Sequence, residues 1–448
     1  MVPVAIGSRS ACSVAVLAGL LLLLGGPWIH GHQAAALAVV HAGLIDGTGA
    51  PLREDMTVIV SGGRIARIGR SQETAVDPDT SIVEARGRFL IPGLWDMHQH
   101  LGAFPDGTVR ASTLLAAGIT GVRDMGSPLD DILRLRKEMA ARGQFLYVSG
   151  PLLQGPLPFT MPMFLSARSP AEARALVRKL GRDGVDFIKI QDAIPRDIYF
   201  AVAAEVRRQH LSLAGHIPPT VTAMEVVDAG QHSVEHLGGR FFGVLAETST
   251  QARAIHMQEV ELYRSSLRAL ERHQDPPEDN MKAPFTTRLV ETYSAARAAR
   301  LFAAFRRNNT WQCPTLVTLQ GLWEGYTEAD KRAGARLFEK SLDVVRDLHR
   351  AGVPLLAGTD IAPGRVALHD ELVLMVRAGL TPMEALQTAT RNPAVFTETL
   401  KDRGTIEPGK IADMVLLKAN PLSRIQNTRE IDMVIAGGTL RRLAESRR

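Results

Sequence analysis

The feature that most constrains the fold is a regular alternation of apolar strands with amphipathic helices between Leu94 and about Pro393. Capping boxes at 169–172 and 381–384 mark helix starts, each with proline at the first helical position. Strand–helix alternation sustained over this length implies a parallel sheet, and closure into a (β/α)8 TIM barrel is the usual outcome. The sequence therefore predicts an α/β protein whose central domain, residues 93–395, is such a barrel.

The segments on either side of this region read as short β-strands. Apolar runs separated by glycine turns occur within 37–92 and again within 396–448. Because both ends of the chain are β-rich around the barrel, we predict that 37–92 and 396–448 pair into one small β-sandwich domain.

One segment, 248–307, interrupts the alternation with a long, polar stretch of helical periodicity. It is too long for an ordinary connection between a strand and a helix. We expect a helical insertion in the barrel domain. Since the loops at one end of a barrel build its active site, the insertion fits a lid or substrate wall, and a peripheral helical pair or dimer contact fits equally.

Composition removes several classes of protein. With 45% hydrophobic and 22% charged residues the chain is neither disordered nor fibrous, and two cysteines exclude a disulfide scaffold. The net charge of +5 is spread along the chain without a long run of Lys and Arg. We therefore expect no nucleic-acid partner.

The N-terminus has the pattern of a secretory signal peptide, predicted over 1–36. Arg9 precedes an apolar run at 14–24, and alanines cluster at 34–38. The run is shorter than the ~20 apolar residues of a membrane span. We expect export to the periplasm or the medium, with no stable membrane insertion after cleavage. The alternative is a membrane anchor formed by an uncleaved N-terminus.

Chemically reactive side chains stand where the predicted strands end, which is where barrel enzymes carry their catalytic groups. His98 and His100 lie two apart on a strand and so face the same way, and Lys189 lies inside an apolar run where an ammonium is costly to bury. Each has an ordinary explanation by itself, as a core histidine, an edge lysine or a helix-capping aspartate. Together they predict one site, composed of His98, His100, Lys189, His216, His236 and Asp360.

The chain resembles the amidohydrolase superfamily of metal-dependent hydrolases, and within it the imidazolonepropionase-related, Xaa-Pro dipeptidase-like amidase group. The resemblance covers nearly the whole chain after the signal peptide. It rests on VHAGLIDGTG at 40–49, LIPGLWDMHQH at 90–100, GITGVRD at 118–124, DFIK at 186–189, GTD at 358–360 and GTIEPGKIADMV at 404–415.

This resemblance implies a site for two divalent metal ions. His98, His100 and Asp360 would hold one ion, and His216 and His236 the second. Lys189, carbamylated to carboxylysine, would bridge them. Imidazole ligands favour zinc, with manganese or cobalt as alternatives. The ions would activate a bridging water as hydroxide, and Asp360 would act as proton shuttle to the leaving amine. His236 is counted with Asp360 as catalytic.

Five further residues are candidates for substrate binding or for support of the ligands: Arg123, His232, Arg240, Arg365 and His369. Arg240 and Arg365 could bind a substrate carboxylate as a fork or form surface salt bridges. His232 fits a structural role better than a ligand role. Arg123 could support the ligands or form a structural pair with its neighbour. His369 could orient the ligands or begin a helix.

The function we expect is metal-dependent hydrolysis of an amide bond in a small molecule, with dipeptides or N-acyl amino acids as substrates. A lactonase, a carbamate hydrolase or a xenobiotic-amide hydrolase at the same metals is the alternative. Deamination is disfavoured, because the resemblance implies that mononuclear deaminase-like members lack the equivalent of Lys189. A non-catalytic exported binding protein is the alternative of another class, and a homo-oligomer is compatible with all of these.

Overall fold

A computed structural model of the chain describes residues 36–157, 161–360 and 366–442. The predicted signal peptide (apart from Ala36) and Arg365 lie outside these ranges. The strands are β1 (Leu37–Leu44), β2 (Arg53–Ser61), β3 (Arg64–Arg70), β4 (Ser81–Glu84), β5 (Phe89–Pro92), β6 (Leu94–Gln99), β7 (Ile119–Asp124), β8 (Phe145–Val148), β9 (Leu152–Gln154), β10 (Phe164–Ser166), β11 (Phe187–Ile190), β12 (Ser212–Gly215), β13 (Ser233–Glu235), β14 (Trp311–Cys313), β15 (Met414–Leu417), β16 (Ile431–Ala436) and β17 (Thr439–Arg442).

The helices fall mainly between β6 and β15. They are α1 (Gly107–Ala116), α2 (Leu129–Ala140), α3 (Pro170–Asp183), α4 (Arg196–Arg208), α5 (Ala223–Asp228), α6 (Gly243–Thr248), α7 (Ala252–Glu271), α8 (Ala283–Glu291), α9 (Ala295–Arg307), α10 (Leu316–Gly321), α11 (Glu328–Arg350), α12 (Leu368–Arg377), α13 (Pro382–Thr388) and α14 (Arg391–Phe396). None of these helices has both the length and the apolar character that a bilayer crossing needs.

Two of the helices begin at the predicted capping boxes. The Ser169 hydroxyl accepts a hydrogen bond from the Glu172 amide at the start of α3, and α3 ends at Gly184 in the left-handed conformation. At the start of α13, Thr381 and Glu384 cap each other reciprocally. These helix boundaries are confirmed.

Both ends of the chain contribute to one sheet of eight strands. Its order is β17-β16-β15-β5-β1-β2-β3, with β4 paired to β1. β15 pairs antiparallel with β5, so that Leu416 lies opposite Leu90, and both side chains are buried in the core beneath the sheet. The pairing of the two ends is as predicted and is consistent with the β-sandwich. The exact domain limits stay a prediction.

The central region contains two parallel sheets, β6-β7-β8 and β10-β9-β11-β12-β13-β14. Backbone hydrogen bonds cross the gaps between them. The Asp186 amide donates to the Val148 carbonyl at 2.8 Å, and the Met97 amide donates to the Ala357 carbonyl at 2.9 Å. The parallel α/β architecture is confirmed, whereas closure into a single ring of eight strands stays a prediction.

The predicted insertion is helical, as expected. Residues 248–307 form α7, α8 and α9, and α9 leads directly into β14. The Trp323 indole donates a hydrogen bond to the Met281 carbonyl at 3.1 Å, which ties the segment between α7 and α8 to the chain after α10.

The close packing of β6 against β7 leaves no room for a side chain at Gly121. Trp95 pairs with Gly121, and a Cβ added to Gly121 would lie 2.3 Å from the Trp95 ring. We expect Gly121→Ala to lower the free energy of unfolding by about 1–3 kcal/mol, because the buried ring cannot move aside without strain. Urea denaturation of the purified protein measures the change.

Gly321→Ala is the matched control. This exposed glycine at the end of α10 has no heavy atom within 4 Å of an added Cβ. The substitution should be neutral or stabilise by up to about 1 kcal/mol. Equal stabilities for the two variants would contradict the packing argument.

Candidate functional site

Three imidazoles converge on one carboxylate at the ends of the parallel strands. The Nε2 atoms of His98 and His100 lie 3.7 and 3.4 Å from Asp360 Oδ1, and His236 Nε2 lies 3.4 Å from Asp360 Oδ2. The His216 ring lies next to the His236 ring, with 5.1 Å between centroids. The predicted histidines and aspartate therefore form one cluster.

Backbone geometry explains how Asp360 reaches this cluster. Its amide donates a hydrogen bond to the His98 carbonyl at 2.8 Å, and its own φ is +48°. The chain approaches β6 this closely because Gly358 has no side chain; a Cβ there would lie 2.8 Å from His98 Cβ and 2.6 Å from Cys313 Sγ. His236 also has a positive φ, of +54°, where β13 ends. Strained backbone of this kind concentrates at functional sites.

Three of the four histidines have a hydrogen-bond partner at the Nδ1 atom. His98 Nδ1 lies 2.9 Å from Glu235 Oε2, and His100 Nδ1 lies 2.8 Å from the Gly126 carbonyl. His236 Nδ1 lies 2.5 Å from the Thr315 hydroxyl, whose own hydrogen is donated to the Pro314 carbonyl, so the hydroxyl oxygen accepts.

The fourth histidine, His216, follows the same pattern less regularly. Its Nδ1 lies 2.9 Å from Asp192 Oδ2, an ion-pair distance, without the alignment of a hydrogen bond. Protons held at Nδ1 leave Nε2 as the free lone pair, which is the arrangement of metal-ligating histidines with carboxylate or carbonyl partners behind them. The donor chemistry therefore fits divalent metal ions.

Burial and the Asp360 carboxylate act in opposite directions on the imidazoles. Burial lowers the pKa of His98 well below its ordinary value and that of His236 to about 3. Burial also lowers the pKa of His100, but the hydrogen bond and the charge of Asp360 outweigh it and raise that pKa above its ordinary value. Burial raises the pKa of Asp360, but the adjacent imidazoles outweigh it and hold that pKa well below the usual range. At neutral pH the cluster thus presents a carboxylate and the lone pairs of His98 and His236, and a bound metal ion would displace a proton from His100.

Lys189 lies in the interior of the parallel sheet. Its side chain is 1% exposed, and it makes no ion pair within 4.0 Å in the described part of the chain. Burial lowers the pKa of its amine, opposed by the charges of Glu235 and Asp360. The structure thus places a buried amine near the carboxylates of Glu235 and Asp360, in the part of the fold where the sequence predicted it.

Three buried carboxylates support the cluster, and only Asp124 was among the residues that the sequence indicated, as a possible partner of Arg123. Glu235 accepts from the Ser233 hydroxyl at 2.6 Å and from Arg123 at 2.8 Å. Asp96 accepts from the Thr359 amide at 3.0 Å and thereby ties β6 to the segment that carries Asp360. Asp124 accepts a hydrogen bond from the Leu101 amide at 2.6 Å. A charged residue inside an apolar strand was the available signal.

Arg123 is the one predicted supporting residue that lies in this network. It is fully buried, donates to the Met97 carbonyl at 2.6 Å and to the Ser233 hydroxyl at 2.9 Å, and stacks over Phe396. It reaches the cluster only through Glu235.

Three other supporting candidates within the described ranges lie away from the cluster, and Arg365 is outside those ranges. His232 precedes β13, at the end opposite His236, and stacks on Phe396 with 4.5 Å between centroids. His369 lies 3.1 Å from the Thr428 hydroxyl, away from the cluster. Arg240 forms an exposed ion pair with Glu278 at 3.2 Å.

Removal of Arg123 from its buried ion pair with Glu235 should lower the stability of the fold. Arg123→Met leaves Glu235 charged and unpaired, and we expect the free energy of unfolding to fall by about 3–5 kcal/mol. Arg134→Met is the control, because Arg134 pairs with Asp131 at 2.9 Å on the surface and is 66% exposed. There the expected loss is at most about 1 kcal/mol. Chemical denaturation compares the two variants.

The same comparison has a defined pH dependence. Burial raises the pKa of Glu235, but Arg123 and its other partners bring it below the ordinary value of 4.5. The stabilisation is therefore complete above that pH and is lost as the pH falls through the lowered pKa. The difference between wild type and Arg123→Met should shrink on acidification; a constant difference would contradict the ion-pair argument.

Comparison with known proteins gives three kinds of match. The profile of the Amidohydrolase family matches residues 89–441. Ochratoxinase from Aspergillus niger is 23% identical, in an alignment that covers 91% of this chain and 87% of that protein. Imidazolonepropionase from Idiomarina loihiensis is 22% identical, over 84% of this chain and 88% of that protein.

Solved structures match over a similar length. A Xaa-Pro dipeptidase with methionine bound in its active site superposes with a TM-score of 0.68 at 20% identity, over 91% of this chain and 100% of that chain. Molinate hydrolase superposes with a TM-score of 0.65 at 20% identity, over 91% and 95%. These likenesses show a shared fold. Since the family profile spans most of the sequence, the chain belongs to the Amidohydrolase family.

Proposed function

We propose that this protein is a metal-dependent hydrolase of amide bonds in dipeptides or N-acyl amino acids. The observation that carries the proposal is the convergence of His98, His100 and His236 on Asp360, with every Nδ1 held from behind. The family to which the chain belongs generally uses divalent metals, and the ligand atoms of His98, His100 and Asp360 lie within 4.8 Å of one another.

Two divalent ions would be shared among six residues. His98, His100 and Asp360 would hold one, and His216 and His236 the other, with zinc as the preferred metal for imidazole nitrogen. When bound, such ions supply Lewis-acid polarisation of the scissile carbonyl and activation of water at neutral pH. Glu235, by accepting from His98 Nδ1, keeps that ring oriented.

Lys189 would join the two ligand groups as a carbamate. Attack of the neutral Nζ amine on carbon dioxide forms an N–C bond and releases one proton, so the reaction needs the uncharged amine. Burial that lowers the pKa of Lys189 favours that form. The product is an anionic oxygen ligand that replaces a buried ammonium, which supports a bridging role.

Asp360 would carry the proton during hydrolysis. Its carboxylate is ionised, as its lowered pKa requires, and so can accept the proton of the attacking water and deliver it to the departing amine nitrogen. The hydrogen bond from its own amide to the His98 carbonyl fixes its position during both transfers.

The test of this role is Asp360→Asn, which keeps the shape of the side chain and removes the proton acceptor. We expect turnover to fall by about 10²–10⁴-fold or more, while the circular dichroism spectrum stays that of wild type. Asp131→Asn, on the exposed side of α2, is the matched control and should retain full activity.

The assay is a hydrolysis screen of metal-replete protein against dipeptides, N-acyl amino acids, lactones and carbamates, with Asp360→Asn as the blank. Turnover of amides alone supports the proposal. Turnover of lactones or carbamates without amides would favour those hydrolases instead. Activity that survives in Asp360→Asn would overturn the proton-shuttle role.

Metal content tests the ligand assignment separately from activity. We expect about two divalent ions per chain in the wild type and fewer in Lys189→Met, because the variant lacks the bridging oxygens. Elemental analysis gives the stoichiometry, and a carbon-13 carbamate signal after labelling with bicarbonate should appear in the wild type and be absent from Lys189→Met. The exposed Lys179→Met serves as control. Two ions retained in Lys189→Met would exclude the bridge.

A further inference from the structure

A cavity of about 180 Å³ lies between the end of β11, the loop after β13 and the predicted insertion. Gln191 and Asp192, which follow β11, lie at its floor, and Phe241 lines one side. Asp192 Oδ2 is 2.9 Å from His216 Nδ1. The cavity therefore shares a wall with the histidine cluster.

Apolar side chains of the insertion form the opposite wall. α7 contributes Tyr263, Leu267 and Leu270, and the segment that follows α7 contributes Pro276 and Pro277. Of the three α7 residues, Tyr263 is buried, and the two leucines are half-buried at the cavity surface. A pocket with apolar walls and few polar groups is the usual form of a site that selects a ligand by shape.

Two polar side chains lie among the lining residues, but their unpaired oxygens do not open into the cavity. Gln191 Oε1 and Asp192 Oδ1 are buried, and neither has a hydrogen-bond partner within the described ranges. Because these atoms expose almost no surface, a group inside the cavity meets mainly the apolar wall. The cavity therefore suits an apolar occupant.

The size of the cavity limits what fills it. An apolar cavity of about 150 Å³ holds a benzene ring, so this one matches a phenyl or branched aliphatic group. We propose that the cavity receives an apolar side chain of the substrate. The insertion is then a specificity element of the site, an inference that rests on the proposed amide hydrolysis.

Contacts at the rim keep the wall in place. The Asn280 side chain donates to the Arg240 carbonyl at 2.9 Å, and the Arg240 guanidinium pairs with Glu278 at 3.2 Å. The Tyr326 hydroxyl donates to the same glutamate at 2.7 Å. These bonds join the insertion to the loop after β13 and to the segment after α10, so the cavity is formed before a ligand binds.

The experiment compares dipeptides that carry phenylalanine, leucine or alanine at either position. With metal-replete wild-type protein, we expect kcat/KM at one of the positions to favour phenylalanine or leucine over alanine by about tenfold or more. Leu267→Trp fills the cavity and should remove this preference. Because the readout is a ratio of two substrates, a smaller folded fraction lowers both rates equally and leaves the ratio unchanged.

Met257→Trp is the matched control, since Met257 lies on the same helix, is 64% exposed and does not line the cavity. It should keep the wild-type ratio. Hydrolysis without a preference for the larger side chain, or a preference that persists in Leu267→Trp, would overturn this inference and leave the proposed function standing. Wild-type protein that hydrolyses no amide would overturn the proposed function, and this inference with it.

Discussion

A buried ion pair between Arg123 and Glu235 connects the architecture of the protein to the geometry of its histidine cluster. Arg123 extends from β7 and Glu235 from β13, so the pair joins the two parallel sheets through their interior. Both side chains are fully buried, and the penalty for taking two charges out of water is offset only because each is also hydrogen-bonded. The second function of Glu235 is to hold His98, so the same contact that joins the sheets also aims a ligand nitrogen at Asp360.

The sequence predicted which histidines and which aspartate would cluster, but not which buried carboxylates hold them in place. His98, His236 and Asp360 could be predicted because parallel strands end on one side of a sheet, and local pattern reveals where each strand ends. The supporting roles of Glu235 and Asp96 could not, since the partners that link them to other strands lie more than a hundred residues away and only the folded chain brings them together. The same reason explains why the sequence left the role of the insertion open.

The residues that fix the histidine rings and the residues that line the cavity belong to different elements of the fold. The clustered histidines are fixed by short bonds from strands and strand ends, where the backbone is held on both sides. The cavity wall comes from α7, which meets solvent on its other face and can change its side chains without disturbing those bonds. Substitutions in this one helix can thus change the shape of the cavity while the histidine cluster stays the same.

The sheet that joins distant parts of the chain has a consequence for biosynthesis. β5 is made early, but one of its neighbours is β15, which pairs Leu416 with Leu90 and is synthesised more than 300 residues later. Until then the edge of β5 is unpaired, and an open strand edge is a site for wrong associations. The parallel sheets must likewise wait for residues 355–357 to bond with β14 and β6. The sheet is therefore incomplete while β15 is still to be synthesised, and a chaperone that covers the open edge of β5 would prevent wrong pairing in that interval.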